Sequence, residues 1–124
     1  MNLPEEDEAF LRGKGFDWSL CPDGDSGLLV IRGFPVNAAR YDHASTDLMI
    51  RIPAGYNMAK LDMWYVDPPL RLKESNQFPH QAAEFEQHGG RRWQRFSRHL
   101  PDGKWRAGID GLPTFLALIN SELR

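Results

Sequence analysis

The strongest periodic signal lies near the end of the chain. Leu112, Phe115, Leu116, Ile119 and Leu123 recur at i, i+3, i+4, i+7 and i+11, which is the apolar stripe of an amphipathic helix. Pro113 suits the first turn of that helix, and Asp110 or Gly111 precedes it. At the other end, Pro4 to Leu11 predicts a short helix. Proline opens it, and Glu5, Glu6, Asp7 and Glu8 suit the positive end of its dipole. Gly13 and Gly15 end it, with Phe10 and Leu11 facing the core.

Between the helices the period changes to two. Phe16 to Leu20 alternates apolar and polar positions. Leu28 to Phe34 opens with four consecutive apolar residues, a pattern of burial on both faces. The turn-rich segment from Pro22 to Gly27 predicts a hairpin between these two strands. Thr46 to Ile52 places Leu48, Ile50 and Ile52 on one face and Asp47, Met49 and Arg51 on the other. Lys60 to Val66 is a fourth strand, stopped by Pro68 and Pro69, which cannot continue a ladder. Leu70 to Gly90 has no clean period. Loops of about twenty residues are uncommon and often functional. The expected fold is therefore α+β: an N-terminal helix, a four-stranded antiparallel meander, a long loop and a C-terminal helix. Residues 1–124 form a single domain in this reading.

Charge adds an asymmetry. The net charge is −2, which argues against a dedicated nucleic-acid binder. Yet the first dozen residues are acidic, and Arg91 to Arg106 is strongly basic. One surface able to meet an acidic protein partner is expected. Cys21 is the only cysteine, so no internal disulfide forms and nothing points to an oxidising compartment. With no apolar run near the roughly 20 residues needed to cross a bilayer and no signal pattern, the chain reads as cytoplasmic, away from membranes. His43, His80, His88 and His99 match no zinc spacing. No metal or cofactor is expected.

Candidate chemistry converges on the stretch RRWQRFSRHLPDGKW, from Arg91 to Trp105. If Phe96 to Leu100 is extended, Arg95, Ser97 and His99 share a face. A serine hydroxyl needs a base to become a nucleophile, and histidine is the usual one. Arginine beside them can stabilise an oxyanion or hold an acidic partner. The plain alternative is an exposed serine and histidine on a solvated basic face. Cys21, beside the predicted hairpin turn, is a second candidate nucleophile, and a small packed thiol is the other reading of it.

The order of elements, with particular residues in it, resembles the ubiquitin-conjugating-enzyme superfamily, and within it the divergent bacterial branch called prokaryotic family E. Ile52-Pro53-Ala54-Gly55-Tyr56 stands where the family has its Tyr-Pro-like turn, Asp67-Pro68-Pro69 closes the meander, and Trp105 precedes the last helix. The departures are equally specific. Conventional members carry a cysteine about eight residues before that tryptophan, after a His-Pro-Asn element. Here that position is Ser97, and only Phe78-Pro79-His80 echoes the triplet, with its order reversed.

The resemblance implies a carrier that accepts the C-terminus of a ubiquitin-like protein from an adenylating activating enzyme. Ser97 would hold it as an oxyester, with His99, His80 or His88 assisting. It also implies that the activating enzyme docks on Glu5, Glu6, Asp7 and Arg12. Arg91, Arg92, Arg95 and Arg98 are the further partner-binding candidates. The alternative within the same fold is a non-catalytic scaffold that binds the ubiquitin-like protein or its activating enzyme. A serine hydrolase is a third reading, but the chain has no Gly-x-Ser-x-Gly elbow and no evident aspartate to orient His99.

Overall fold

A computed structural model describes all of residues 1–124. Helix α1 (Glu5–Gly13) is followed by β1 (Asp17–Asp23), β2 (Ser26–Pro35), β3 (Ser45–Ile52), β4 (Trp64–Asp67), β5 (Glu84–His88), β6 (Arg91–Phe96) and helix α2 (Leu112–Leu123). The strands form one sheet in the order β1-β2-β3-β4-β6-β5, and every neighbouring pair is antiparallel.

The α+β class, the terminal helices and the meander follow the sequence pattern, but the sheet has six strands rather than four. The fourth strand begins at Trp64 instead of Lys60. The two added strands come from the segments read as a long loop and a basic stretch. Gly89 and Gly90, with φ of 60° and 74°, make a tight turn in the left-handed region, which joins β5 to β6 as a hairpin. This turn brings its tip close to β2, where a Cβ added at Gly89 would lie 3.2 Å from Leu28 Cδ1.

Both helices pack on one face of the sheet. Leu11, Leu29, Ile31, Leu48, Ile50, Trp64, Phe96 and the α2 stripe of Leu112, Phe115, Leu116, Ile119 and Leu123 form the main core. Trp64 stacks on Phe96 and meets Phe115 edge-on. The opposite face carries a smaller buried cluster of Leu28, Met49, Tyr65 and Trp93. This accounts for the unbroken apolar start of β2: Leu28 and Leu29 feed different cores.

Buried Gln94 fastens the chain between β4 and β5. Its amide oxygen accepts from Leu70 N–H, and its nitrogen donates to the carbonyls of Leu70 and Ala82. The 70–82 segment is thereby pinned against β6 by a polar group whose bonds are made inside the protein. No helix is long and apolar enough to cross a membrane.

Candidate active site

Ser97 follows the last residue of β6 and is half-buried. Its backbone N–H donates to the carbonyl of Gln81 at 3.1 Å. The neighbouring carbonyl of Arg98 accepts from Met63 N–H at 2.7 Å. These bonds hold the strand end between the 79–82 turn on one side and the entry to β4 on the other. The Ser97 hydroxyl makes no hydrogen bond to a histidine.

His99 is exposed, and its Nδ1 lies 2.6 Å from the carbonyl oxygen of Leu100. A carbonyl can only accept, so Nδ1 carries the proton in this contact and Nε2 presents its lone pair to solvent. That is the tautomer a general base requires, oriented by a backbone oxygen rather than by a carboxylate. His80 is exposed one residue before Gln81, on the turn that binds Ser97 N–H.

His88 is elsewhere. It pairs with Arg91 at the start of β6, and Ser97 lies six residues further on. At about 3.3 Å per residue the two are separated by roughly 20 Å. His88 instead binds Glu86 at 2.8 Å and meets Tyr65 edge-on. The β-hairpin explains the separation, because it turns the presumed loop into an extended strand that carries His88 away from Ser97. Cys21 is exposed on edge strand β1, opposite Leu28. It borders a recess of about 240 Å³ with His88, Arg91 and Trp93, on the helix-free face and not at the Ser97 end of β6.

The basic stretch is largely neutralised within the molecule. Arg91 donates to Asp67 at 2.6 Å and to Asp47 at 2.8 Å. Arg95 donates to Glu86 at 2.7 Å. Arg98 grips Glu122 of α2 with two bonds. Arg92 alone of the four makes no ion pair and is exposed. The alternation of β6 is the reason: Arg91 and Arg95 share with Trp93 the helix-free face, where carboxylates line the neighbouring strands.

The α1 docking set divides in the same way. Glu5, Glu6 and Arg12 are exposed. Asp7 is 4% exposed and points inward. The Tyr56 hydroxyl donates to its carboxylate and accepts the N–H of Leu112 at 2.6 Å. Burial raises the pKa of Asp7, although the bond from Tyr56 opposes the rise. Burial, reinforced by Asp7, also raises that of Tyr56. Asp7 therefore belongs to the scaffold that seats the start of α2, not to a docking surface.

Beyond His99 the chain borders a cleft of about 250 Å³, lined by Met58, Leu61, Leu100, Pro101, Trp105 and Ala107 among others. Its two walls are tied through Asn57. The carbonyl of Asn57 accepts from the Trp105 indole at 3.1 Å and from Gly108 N–H at 3.3 Å, and its side-chain amide donates to the carbonyl of Asp110 at 2.9 Å. Asp110 is itself fixed by Arg106 and Thr114. Its bonds from Arg106 hold its carboxyl down at about 2. Asn57, Asp110 and Tyr56 were not marked by the sequence as site residues. Only the position of Tyr56 in the turn after β3 hinted at a role.

An N-terminal helix, an antiparallel meander, a crossing strand end with a hydroxyl and a tryptophan-walled cleft before the last helix define an E2-like, ubiquitin-conjugating type of fold. The profile of prokaryotic E2 family E matches residues 3–124, and the chain belongs to that family. No curated protein and no solved structure gives a significant match.

Proposed function

We propose that this protein is a carrier for a ubiquitin-like protein, with Ser97 as the acceptor. The observation that carries the reading is the place of Ser97: a half-buried residue just past the end of β6, eight residues before Trp105, which is where the resemblance puts the nucleophile. Membership of prokaryotic E2 family E supports a ubiquitin-like protein and an activating enzyme as the partners.

In this reading the activating enzyme presents the C-terminus as a thioester or acyl adenylate. The Ser97 oxygen attacks that carbonyl carbon and forms an ester C–O bond. The bond to the thiolate or to AMP breaks, and the hydroxyl proton passes to Nε2 of His99. The cleft between Leu61 and Trp105 receives the extended tail that precedes the reacting carbonyl. Transfer to the target follows by attack of an amine or hydroxyl on the ester. The exposed α1 residues Glu5, Glu6 and Arg12 remain the candidates for contact with the activating enzyme, and Arg92 for contact with an acidic partner.

A second reading is a scaffold of the same fold that binds these partners without carrying the acyl group. The absence of a hydrogen bond from Ser97 to any histidine favours it. The two separate in one experiment. The protein is incubated with its ubiquitin-like protein, the activating enzyme and ATP, and the products are weighed intact. The carrier gives an adduct that resists thiol reductant, breaks in mild base and disappears in Ser97→Ala but persists in Cys21→Ala. Loss only in Cys21→Ala moves the acceptor to β1, and binding without any adduct establishes the scaffold.

A further inference from the structure

Seven of the eleven arginines are held by carboxylates: Arg12, Arg32, Arg51, Arg91, Arg95, Arg98 and Arg106. Of the other four, Arg40, Arg71, Arg92 and Arg124, two share one aromatic ladder. Arg71 lies over the ring of Phe78 at 4.0 Å, Phe78 meets Phe85 edge-on at 5.7 Å, and Arg92 lies over Phe85 at 4.1 Å. The result is a cation–aromatic–aromatic–cation ladder along the outer margin of β5. Lys73 opens the turn that follows Leu72, and its ammonium donates to the carbonyl of Ala38 at 3.2 Å. Lys73 N–H also donates to the carbonyl of Arg40 at 2.8 Å. Arg40, Arg71, Lys73 and Arg92 form no ion pair with any carboxylate.

Strand alternation keeps the carboxylates of β5 off this margin. Phe85 shares its face with Gln94 across the ladder, whereas Glu84 and Glu86 project to the other face and meet Arg95. Asp42, nearby, is occupied by His43 and by the backbone N–H of Arg71. Glu74, at the rim, makes no ion pair. Stacking on phenylalanine orders the two guanidiniums; Arg71 Nη1 donates to the Asn76 carbonyl at 3.0 Å, and no carboxylate takes the other N–H groups of Arg71 or those of Arg92, which suit paired binding of a carboxylate. β5 is also the last strand of the sheet, with an unpaired outer edge, which offers backbone bonds to an extended chain.

We infer that the Arg71–Phe78–Phe85–Arg92 margin is a docking surface for an extended acidic segment of a partner protein. The three steps of the ladder place the two guanidiniums no more than about 14 Å apart. An extended chain rises about 3.3 Å per residue. Alternate carboxylates on one face of an extended strand, up to positions i and i+4, therefore span that limit. The surface involves neither Ser97 nor His99, so the inference stands apart from the acyl-carrier reading.

The test uses a fluorescein-labelled decapeptide with glutamate at alternate positions, and the same peptide with glutamine, read by anisotropy. The glutamate peptide is expected to bind, with binding weakened at least tenfold on raising salt from about 50 to about 500 mM. Arg71→Ala/Arg92→Ala should weaken it at least tenfold. Arg71→Lys/Arg92→Lys should weaken it less, because the charge stays and the fork is lost. Phe78→Ala should weaken it with every charge intact, and Lys104→Ala, elsewhere on the surface, should leave it unchanged. Thermal unfolding by circular dichroism checks that each variant folds. Equal binding of both peptides, no binding of either, or an affinity unchanged in the double lysine and double alanine variants overturns the inference. Tighter binding of an oligouridylate than of the peptide through the same arginines overturns it too, and makes the margin a nucleic-acid surface.

Discussion

Glu122 holds Arg98 with both carboxylate oxygens, at 2.6 Å from Nε and 2.9 Å from Nη2. The pair joins the residue after Ser97 to the last turn of α2, and the same turn accepts the hydroxyl of Tyr41 through the carbonyl of Glu122. Both side chains are mostly shielded, with 20% and 18% of their surfaces exposed, so water screens the pair incompletely. Removing the carboxylate in Glu122→Ala strands the guanidinium and should cost about 2 kcal/mol. Arg98→Lys keeps the charge but cannot make the paired contact, and should cost about half as much. Urea midpoints measure both effects. An unchanged midpoint in Glu122→Ala would show that the segment carrying Ser97 is fixed by its backbone bonds alone.

Tyr56 links α1 to the start of α2 through one oxygen, which donates to Asp7 and accepts from Leu112 N–H. Tyr56→Phe leaves a buried carboxylate and a helix N–H without partners, at a cost of about 1–3 kcal/mol. Asp7→Asn keeps an acceptor for the phenol and removes the titration. Because burial raises the pKa of Asp7 above 3.8, the folded state keeps this proton to higher pH than the unfolded chain. The protonation-linked stability is full at low pH and is lost as pH rises through the window above 3.8. Urea unfolding between pH about 4 and about 7 should show Asn gaining on wild type as pH rises. A constant difference between the two proteins would sink this assignment.

The elements that were legible in the sequence are those whose pattern reports burial directly. The α2 stripe, the alternation of β3 and the double-sided start of β2 each expose a period that water and core impose on side chains. The β5–β6 hairpin was hidden because its alternation is carried by charge. Glu84, Glu86, Arg91 and Arg95 stand on one face and read as solvated residues, yet Glu86 pairs with Arg95 and Arg91 pairs with neighbouring strands. Gly89-Gly90 was the local signal for the turn. The position of Ser97 was legible from its spacing to Trp105, but its surroundings were not. Gln81 bonds Ser97, and Met63 and Glu122 bond the next residue, Arg98, all from distant parts of the chain. A run of four arginines likewise looked like one basic surface, because spacing does not say which carboxylates the sheet will place opposite them.

Asp110 gives the cleft an acid limit. Arg106 supplies its backbone N–H at 2.7 Å and its guanidinium at 2.9 Å, and Thr114 adds a hydroxyl bond. These bonds lower the pKa from 3.8 to about 2, against the opposing effect of burial. The stabilisation is present above 3.8 and is lost as pH falls toward about 2. Asp110 also accepts the Asn57 amide through its carbonyl, and Asn57 holds the Trp105 indole N–H. The indole resonance of Trp105, followed by NMR on the labelled protein, should therefore report the loss of the cleft wall in that acid range. Asp110→Asn should weaken the contact already at neutral pH and flatten the transition. Identical titrations of the two proteins would separate Trp105 from the Asp110 network.

Two histidines make opposite predictions for acyl transfer to Ser97. Nδ1 of His99 is engaged by the carbonyl of Leu100, which leaves Nε2 open two residues from the acceptor. His88 is engaged by Glu86 at the far end of β6, roughly 20 Å away by strand rise. General-base assistance is worth about 10²–10⁴-fold in rate. His99→Ala should therefore slow adduct formation by about a hundredfold or more while leaving affinity for the ubiquitin-like protein within about twofold. His88→Ala should leave the rate unchanged, and His80→Ala tests the turn that binds Ser97 N–H. Single-turnover formation of the adduct, with the charged activating enzyme in excess, measures all three. A larger loss for His88→Ala than for His99→Ala would require the acyl group to sit at the Cys21 end of the sheet, where His88 borders the same recess as the thiol.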